Sequence, residues 1–176
     1  VACNTAHSLA FRAVDPRLTG KVGKAPRMTS DALGTWLGAQ QFIVDFKHGE
    51  RRIFDPRDVA RVARTTVRRF AKSADSEVNA QHVPREPLMH DDDGTRAQLV
   101  AQVLPHAQKI WADLTSFNGD LPFEHDHYLK LWQLDEPKIA ADFILFDEAQ
   151  DADPVMLDVV NRQDGQRLFC GDRFQA

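Results

Sequence analysis

The stretch Phe143-Ile144-Leu145-Phe146-Asp147-Glu148-Ala149-Gln150-Asp151 decides the fold of this 176-residue chain. Its four consecutive apolar residues, two aromatic and one β-branched, predict a strand that is buried on both faces of a parallel sheet. The acids follow directly, so they lie at the carboxyl end of that strand, where open α/β sheets bind their ligands. At this edge Asp147 could hold Mg²⁺, directly or through water, while Glu148 polarises an attacking water.

A second strand is predicted downstream, after a short helix. Asp153-Pro154 is typical of an N-cap followed by proline at the first helical position. The apolar stripe of that helix consists of Met156, Leu157, Val159 and Val160. The run Leu168-Phe169-Cys170 then leads into Gly171-Asp172-Arg173-Phe174-Gln175. A β-α-β unit with a right-handed crossover would bring Asp147, Glu148 and Gln175 to one edge of one sheet.

Three motifs, in their order along the chain, resemble those of UvrD/Rep-type superfamily 1 DNA helicases. DEAQD at 147–151 and GDRFQA at 171–176 are similar to the second and third motifs of that family, and TAHSLA at 5–10 is similar to its T-x-H-x-x-A motif. The segment HDHYLKLW at 125–132 most resembles the subgroup related to the F-box DNA helicases.

The resemblance implies an α/β fold, namely a partial RecA-like P-loop NTPase domain with a parallel sheet. A mostly helical inserted subdomain would interrupt this domain. Residues 1–16 would form the first part of the motor domain, residues 17–122 the insertion, and residues 123–176 the continuation of the motor domain.

The resemblance also implies ATP and Mg²⁺ as cofactors. Asp147 would be the Mg²⁺ carboxylate and Glu148 the catalytic base. Gln150, Asp172 and Gln175 would bind the nucleotide, with the two glutamines as sensors of its γ-phosphate.

The DNA side of the resemblance rests on the T-x-H motif, in which Thr5 and His7 would contact DNA. From the residues alone, His7 is predicted to be a partly buried histidine at a helix start. The implied activity is ATP-dependent 3′ to 5′ unwinding in DNA repair or recombination. Single-stranded DNA and single-strand/double-strand junctions would be the substrates, and repair or recombination proteins possible partners.

Part of the family's pattern is absent from this sequence. No phosphate loop of the form G-x-x-x-x-G-K-S/T occurs, and the glycine and lysine cluster at Gly20–Lys24 predicts only a flexible loop. In the family that loop lies upstream of the T-x-H motif, whereas this chain begins at Val1 and stops at Ala176, before a second motor domain. We therefore expect a helicase fragment that does not hydrolyse ATP by itself.

Two other functions remain open at this point. One is a catalytically inactive module, derived from such a helicase, that keeps DNA or partner contacts. The other, which is weaker, is a metal-dependent nuclease built on Asp147, Glu148 and Asp151.

Basic charge is concentrated in one window, although the net charge of the chain is −4. Residues 47–72 hold nine Lys/Arg and three Asp/Glu, so this window carries about +6. Asp55-Pro56 predicts the start of an amphipathic helix, on which four arginines at one-turn intervals line a polar face: Arg57, Arg61, Arg64 and Arg68. This row suits DNA phosphates, with a solvated helix face as the alternative.

Other patterns predict supporting structure. Thr29-Ser30-Asp31 predicts the start of a short helix, and residues 95–117 have a helical period that Pro105 is expected to kink or divide. Trp111 in that helix is predicted to be a core residue rather than a base-stacking platform. His125-Asp126-His127 predicts a helix entry capped by Asp126 rather than a metal site, because adjacent residues on a helix face apart.

Cys3 and Cys170 are far apart and lack C-x-x-C spacing, which argues against a disulfide framework or a zinc site. No apolar run reaches membrane-spanning length, and no leader sequence is recognisable, so we expect no membrane partner and a cytoplasmic location, nucleoid-associated in a bacterium. A parallel sheet without its phosphate-loop strand would expose apolar edges, so we also expect marginal stability and self-association.

Overall fold

The computed structural model describes residues 2–45, 50–85 and 93–172 of the protein, and these form a mixed α/β structure. The helices are α1 (Ala6–Ala13), α2 (Pro16–Thr19), α3 (Ser30–Leu37), α4 (Pro56–Ala71), α5 (Asp93–Thr115), α6 (His125–Leu134) and α7 (Pro154–Asn161). The strands are β1 (Phe42–Asp45), β2 (Arg51–Phe54), β3 (Phe143–Phe146) and β4 (Gln166–Phe169). Single 3-10 turns lie at Ala80–His82 and Ala149–Asp151.

Three helix starts lie where the sequence predicts them. The hydroxyl of Thr29 accepts the N–H of Ala32 at the start of α3. The carboxylate of Asp55 accepts the N–H of Asp58 at 2.8 Å, and Pro56 is the first residue of α4. Asp153 is the N-cap of α7. A side-chain oxygen at the N-cap accepts a free N–H of the first turn, and proline at the first helical position has no N–H that needs a partner. Such helix starts can therefore be predicted from the local sequence.

The predicted start of α6 was wrong. The N-cap is Glu124, and Asp126 lies inside the first turn instead of capping it. Nδ1 of His127 accepts the backbone N–H of Glu124 at 2.9 Å. This bond fixes the helix start two residues before the predicted cap, because the histidine ring supplies the acceptor.

The core is centred on α4, which packs against α3, α5 and α6. Its apolar face is fully buried, including Val62 and Phe70. The ring of Phe70 meets the edge of Trp111 from α5, with ring centroids 5.1 Å apart. The prediction that Trp111 is a core residue is therefore confirmed in part, because its side chain is half-buried and packs against the core.

Helix α5 runs through Pro105 as one helix, so the proline does not divide it, while the predicted kink stays a prediction. Proline deprives the carbonyl of Ala101 of its usual helical partner, but both residues are exposed and water can replace the missing donor. One face of the helix is buried on both sides of the proline: Leu99, Val103, Ala107, Ile110 and Leu114. Burial of this face keeps the two halves of α5 in one helix.

An antiparallel hairpin, β1–β2, lies beside these helices and was not predicted. Its register pairs Phe42 with Phe54 and Ile43 with Ile53. Val44 and Phe54 are fully buried, whereas Ile43 and Ile53 face solvent. The segment 17–122 thus contains α3–α5, a hairpin and α2 except for its first residue, Pro16. Its predicted boundaries as a subdomain stay a prediction.

The predicted parallel pair is present, since β3 pairs with β4 from Phe143↔Gln166 to Phe146↔Phe169, with α7 in the connection. Burial on both faces was wrong: Phe143 is 50% exposed and Leu145 is 58% exposed. Within the described ranges this sheet has two strands, and the side chains of Phe143 and Leu145 on one of its faces are largely exposed. Among the same residues, no helix has the length and apolar character to cross a membrane.

Candidate functional site

The two acidic motifs meet where β3 and β4 end. The N–H of Cys170 donates to the carbonyl of Phe146, and the N–H of Ala149 donates to the carbonyl of Cys170, each at 2.8 Å. These bonds continue the pairing of the strands beyond their last residues. The turn that follows β3 and the turn that follows β4 are therefore held side by side, as the β-α-β interpretation requires.

Gln150 links these two turns through both ends of its amide. Its Nε2 donates to a carboxylate oxygen of Glu148 at 2.6 Å. Its Oε1 accepts the backbone N–H of Asp172 at 3.0 Å. Asp147 lies beside this bridge, because its carboxylate accepts the N–H of Glu148 at 3.0 Å. Four predicted nucleotide-site residues are thus brought together, while Gln175 lies outside the described residues.

The backbone between the paired acids is unusual. Glu148 has φ of 53° and ψ of 41°, which is the left-handed region that side-chain-bearing residues seldom adopt. Such a conformation costs about 1–3 kcal/mol and tends to occur where function requires a particular backbone path. It ends β3 sharply and starts the 3-10 turn that contains Gln150.

Gly171 permits the close approach of the two turns. A Cβ atom at this position would lie 2.5 Å from Oε1 of Gln150 and 3.4 Å from the Gln150 backbone nitrogen. Any side chain here would therefore displace the amide that bridges Glu148 and Asp172. Glycine at this position of the second motif thus has a steric explanation.

The carboxylates of this site face solvent. Asp147, Glu148 and Asp172 are all exposed. In the part of the chain that the structure describes, no three His, Cys, Asp or Glu side chains converge as a metal cluster. Mg²⁺ in phosphoryl-transfer sites is commonly held by one or two carboxylates together with substrate phosphates and water, and an exposed Asp147 beside a strand end fits that donor set.

The residues of the T-x-H motif begin α1. The hydroxyl of Thr5 accepts the N–H of Ser8 at 3.1 Å, so Thr5 is the N-cap. His7 is half-buried in the first turn, as the residue pattern predicts, and its ring meets the edge of Tyr128 at a centroid distance of 5.7 Å. Nδ1 of His7 is buried and has no hydrogen-bond partner among the described residues. Contact of Thr5 and His7 with DNA stays a prediction.

Tyr128 and Phe11 belong to the same aromatic group and were missed by the sequence analysis. The Phe11 ring meets the Tyr128 ring at 5.5 Å, and Nδ1 of His125 lies 3.0 Å from the Tyr128 hydroxyl. Packing of α1 on α6 brings the rings of His7 and Phe11 against Tyr128. The contact between His125 and Tyr128 lies within α6, and their spacing of three residues is the signal that could have indicated it.

The four arginines of α4 have different surroundings. Arg57 lies 3.9 Å from Asp31 and Arg61 lies 3.5 Å from Asp58. Arg64 is half-buried and donates to the backbone carbonyl of Met28 at 2.6 Å, whereas Arg68 is exposed. The helix therefore does not present four equivalent groups, although all four remain predicted DNA contacts.

Lys130 is a second residue that the sequence analysis missed. Its fully buried amine donates to the carbonyl oxygens of Ser73 and Asp75 and to Oε1 of Gln133, the last at 2.7 Å. Burial lowers the pKa of Lys130 to about 8. Lysine is seldom fully buried, so its position in the sequence gave no reason to expect this.

Comparisons with known proteins place the whole chain beside DNA helicases. It is 29% identical over 186 aligned residues to F-box DNA helicase 1 of Gallus gallus. This alignment covers 99% of this chain and 17% of the relative. It is 30% identical over 183 residues to F-box DNA helicase protein 1 of Schizosaccharomyces pombe. That alignment covers 100% of this chain and 20% of the relative. The chain therefore spans about a fifth of the length of these curated relatives.

No family model matches the chain, and no solved structure matches it. The similarity to proteins named as F-box DNA helicases confirms the resemblance to that group which residues 125–132 indicate. It supports a relationship to DNA helicases for the chain as a whole.

Proposed function

We propose that the chain is part of the ATP-hydrolysing motor of a UvrD/Rep-type DNA helicase that moves 3′ to 5′ on single-stranded DNA. The observation that carries this proposal is the bridge by Gln150, which joins Glu148 after β3 to Asp172 after β4. Similarity to F-box DNA helicases along the whole chain supports the same function. In this proposal residues 1–16 and 123–176 belong to a RecA-like domain, and residues 17–122 form its insertion.

The proposed chemistry assigns a separate task to each side chain. Asp147 would hold Mg²⁺, which when bound neutralises phosphate oxygens. Glu148 would accept a proton from the attacking water, and its exposed carboxylate is accessible to that water. Gln150 contacts both the base and the turn that contains Asp172, so a change in one turn would move the amide that touches the other. Gln175 would complete the nucleotide contacts.

The proposed substrate is single-stranded DNA and its junctions with duplex. Thr5 and His7 would contact the strand at the start of α1, and α4 would add contacts from its arginines. Guanidinium groups on an exposed helix face attract phosphates without reading base sequence. Repair or recombination proteins are proposed partners, and a non-membrane location follows from the same function.

The proposal is tested by ATP hydrolysis in the full-length protein that carries this chain, with and without single-stranded DNA, beside this chain alone. We expect DNA-stimulated turnover in the full-length protein and none in the chain, because the sequence contains no phosphate-loop pattern. Glu148→Gln should abolish turnover while ATP and DNA binding persist, since it removes the base and keeps the ligands. Glu77→Gln is the matched control at another exposed glutamate. Full turnover in Glu148→Gln would remove Glu148 from the mechanism.

A second function, a DNA-binding module without ATPase chemistry, is favoured by one observation. The basic residues of α4 lie in a well-packed helix that does not depend on the nucleotide site for its burial. If the full-length protein fails to hydrolyse ATP but binds DNA with a strong salt dependence, this function replaces the first.

A further inference from the structure

A cleft of about 180 Å³ opens between α3, α4, α5 and the segment before α6. Its floor is apolar and includes Leu33, Val67, Ile110 and Leu114. Its rim carries three arginines, Arg27, Arg64 and Arg68, of which only Arg64 and Arg68 belong to the basic face of α4. The cleft is therefore a local feature that the linear row of arginines does not describe.

The rim has an excess of positive charge. Glu124 is the one carboxylate among the lining residues, and its oxygen lies 3.8 Å from the Arg27 guanidinium, which is too far for a hydrogen bond. His127 also lines the cleft, and burial lowers its pKa to about 4, so it is neutral at physiological pH. Three guanidinium groups and one carboxylate leave a net charge of about +2 at the rim.

Arg64 is the most constrained of the three. One of its nitrogens donates to the Met28 carbonyl at 2.6 Å, and a guanidinium has five N–H donors. Burial lowers the pKa of Arg64, and the nearby charges of Arg27 and Arg68 lower it further, while Glu124 opposes this. An anion in the cleft would relieve the repulsion between these groups and accept their unused donors.

Arg27 and Arg68 are available for such an anion. The Arg27 side chain is 82% exposed, and Arg68 is exposed and makes no ion pair with any other residue that the structure describes. Both can change rotamer at little cost, which a bidentate contact with a phosphate would exploit.

We propose that this cleft binds one phosphodiester group of the DNA backbone, with the carbon atoms of its deoxyribose against the apolar floor. The proposal rests on the proposed function, because DNA is the substrate there. The volume lies below the roughly 300 Å³ at which pockets enclose a free small molecule, which favours one group of a longer chain. The contact involves no base edge, so it positions the DNA without reading its sequence.

The test uses the full-length protein that carries this chain and measures affinity for single-stranded DNA across a series of salt concentrations, without nucleotide. The variant is Arg27→Gln with Arg68→Gln, whose side chains are both exposed, and the control is Arg12→Gln with Arg167→Gln, two exposed arginines outside the cleft. We expect the cleft variant to bind more weakly to every DNA sequence. The slope of log affinity against log salt should fall by about 0.7 for each lost phosphate contact.

A second variant gives a change in the opposite direction. Glu124→Gln removes the carboxylate from the rim, so DNA should bind more tightly than in the wild type. Unchanged affinity and slope in the Arg27/Arg68 variant, with DNA binding intact in the wild type, would overturn the cleft proposal and the DNA contact proposed for Arg68, but not the proposed motor function. Wild-type protein that does not bind DNA would overturn the proposed function as well, so the two failures are distinguishable.

A competition experiment separates a DNA phosphate from a free one. Inorganic phosphate is added to the DNA complex against chloride at equal ionic strength. Displacement by phosphate that is no stronger than displacement by chloride supports a site that needs the DNA chain. Strong, selective displacement in the wild type that is lost in the Arg27/Arg68 variant would make the cleft a free-anion site and overturn the proposal.

Discussion

Nζ of Lys72 lies 3.1 Å from a carboxylate oxygen of Asp153, and this ion pair joins the C-cap of α4 to the N-cap of α7. Helix α4 carries the basic face, whereas α7 directly follows the acidic motif. A second connection runs through α6, because Nε2 of Gln133 donates to the carbonyl of Ala74, in the segment directly after α4, at 3.2 Å and to the carboxylate of Asp158 in α7 at 2.7 Å. The basic helix and the β-α-β unit are thus tied at two points.

Lys72→Met tests whether the first connection transmits DNA binding to the nucleotide site. The pair is partly exposed, so we expect the free energy of unfolding to change by less than about 1 kcal/mol. We also expect DNA to stimulate ATP hydrolysis less in the full-length protein, because α4 would then lose one of these two connections to α7. The control is Lys138→Met, which removes an exposed pair with Asp164 elsewhere. Equal DNA stimulation in both variants would limit the role of Lys72 to packing.

Gly171→Ala tests the bridge by Gln150. The added Cβ would lie 2.5 Å from the end of a flexible side chain, so the glutamine can move and the hydrogen bond to Asp172 is lost. One such bond contributes about 0.5–1.5 kcal/mol to stability, so we expect a small loss of stability and a large loss of ATP hydrolysis in the full-length protein.

Gly34→Ala is the contrasting variant. Its Cβ would lie 2.6 Å from the backbone carbonyl oxygen of Pro56, which cannot move without displacing α4. We therefore expect Gly34→Ala to lower the thermal midpoint more than Gly171→Ala does. The reverse order in a thermal unfolding experiment would contradict the steric account of Gly171.

His127→Gln tests a predicted loss of stability in acid. Burial lowers the pKa of His127 to about 4 from 6.5, while the charges of Glu124 and Asp126 raise it and Lys21 lowers it. Between these pH values the unfolded chain binds a proton that the folded protein does not bind. The contribution of His127 to the free energy of unfolding is therefore fully present above pH 6.5 and is lost as the pH falls towards 4. The difference between the two pKa values of His127 corresponds to roughly 3 kcal/mol in the free energy of unfolding.

The measurement is urea unfolding from pH 7 to pH 4. The glutamine keeps an oxygen that can accept the Glu124 N–H but does not take up a proton, so its stability should fall less steeply than that of the wild type. If the free energy of unfolding fell equally with pH in both proteins, the loss of stability in acid would not come from protonation of His127.

Leu145→Lys with Leu168→Lys tests the exposed face of the β3–β4 sheet. Leu145 is 58% exposed and Leu168 is 50% exposed, and contiguous exposed apolar side chains promote association. We expect this chain to associate as its concentration rises, and the double variant to remain monomeric in sedimentation experiments. Ile43→Lys, on the separate hairpin, is the control and should leave the association unchanged. A wild-type chain that stays monomeric at high concentration would contradict this prediction.

Local sequence was sufficient for the features that depend on neighbouring residues. Asp55-Pro56 and Asp153-Pro154 predicted helix starts correctly, because a cap and a fixed proline φ act within one turn. The apolar runs predicted the parallel β3–β4 pair, since strand, helix and strand follow each other closely in the chain. The positions of Asp147, Glu148 and Asp172 after the strand ends followed from the same order, whereas the predicted position of Gln175 lies outside the described residues.

Long-range packing determined what local patterns could not. The burial of β3 depends on which elements cover its faces, and the cleft depends on Arg27, which is 37 residues before Arg64 in the chain. The burial of Lys130 is compensated by two carbonyl oxygens from the segment after α4, which accept hydrogen bonds from its amine. A spacing rule describes one element at a time, whereas these environments arise from the free energy of contacts between elements, and these contacts exist only in the folded chain.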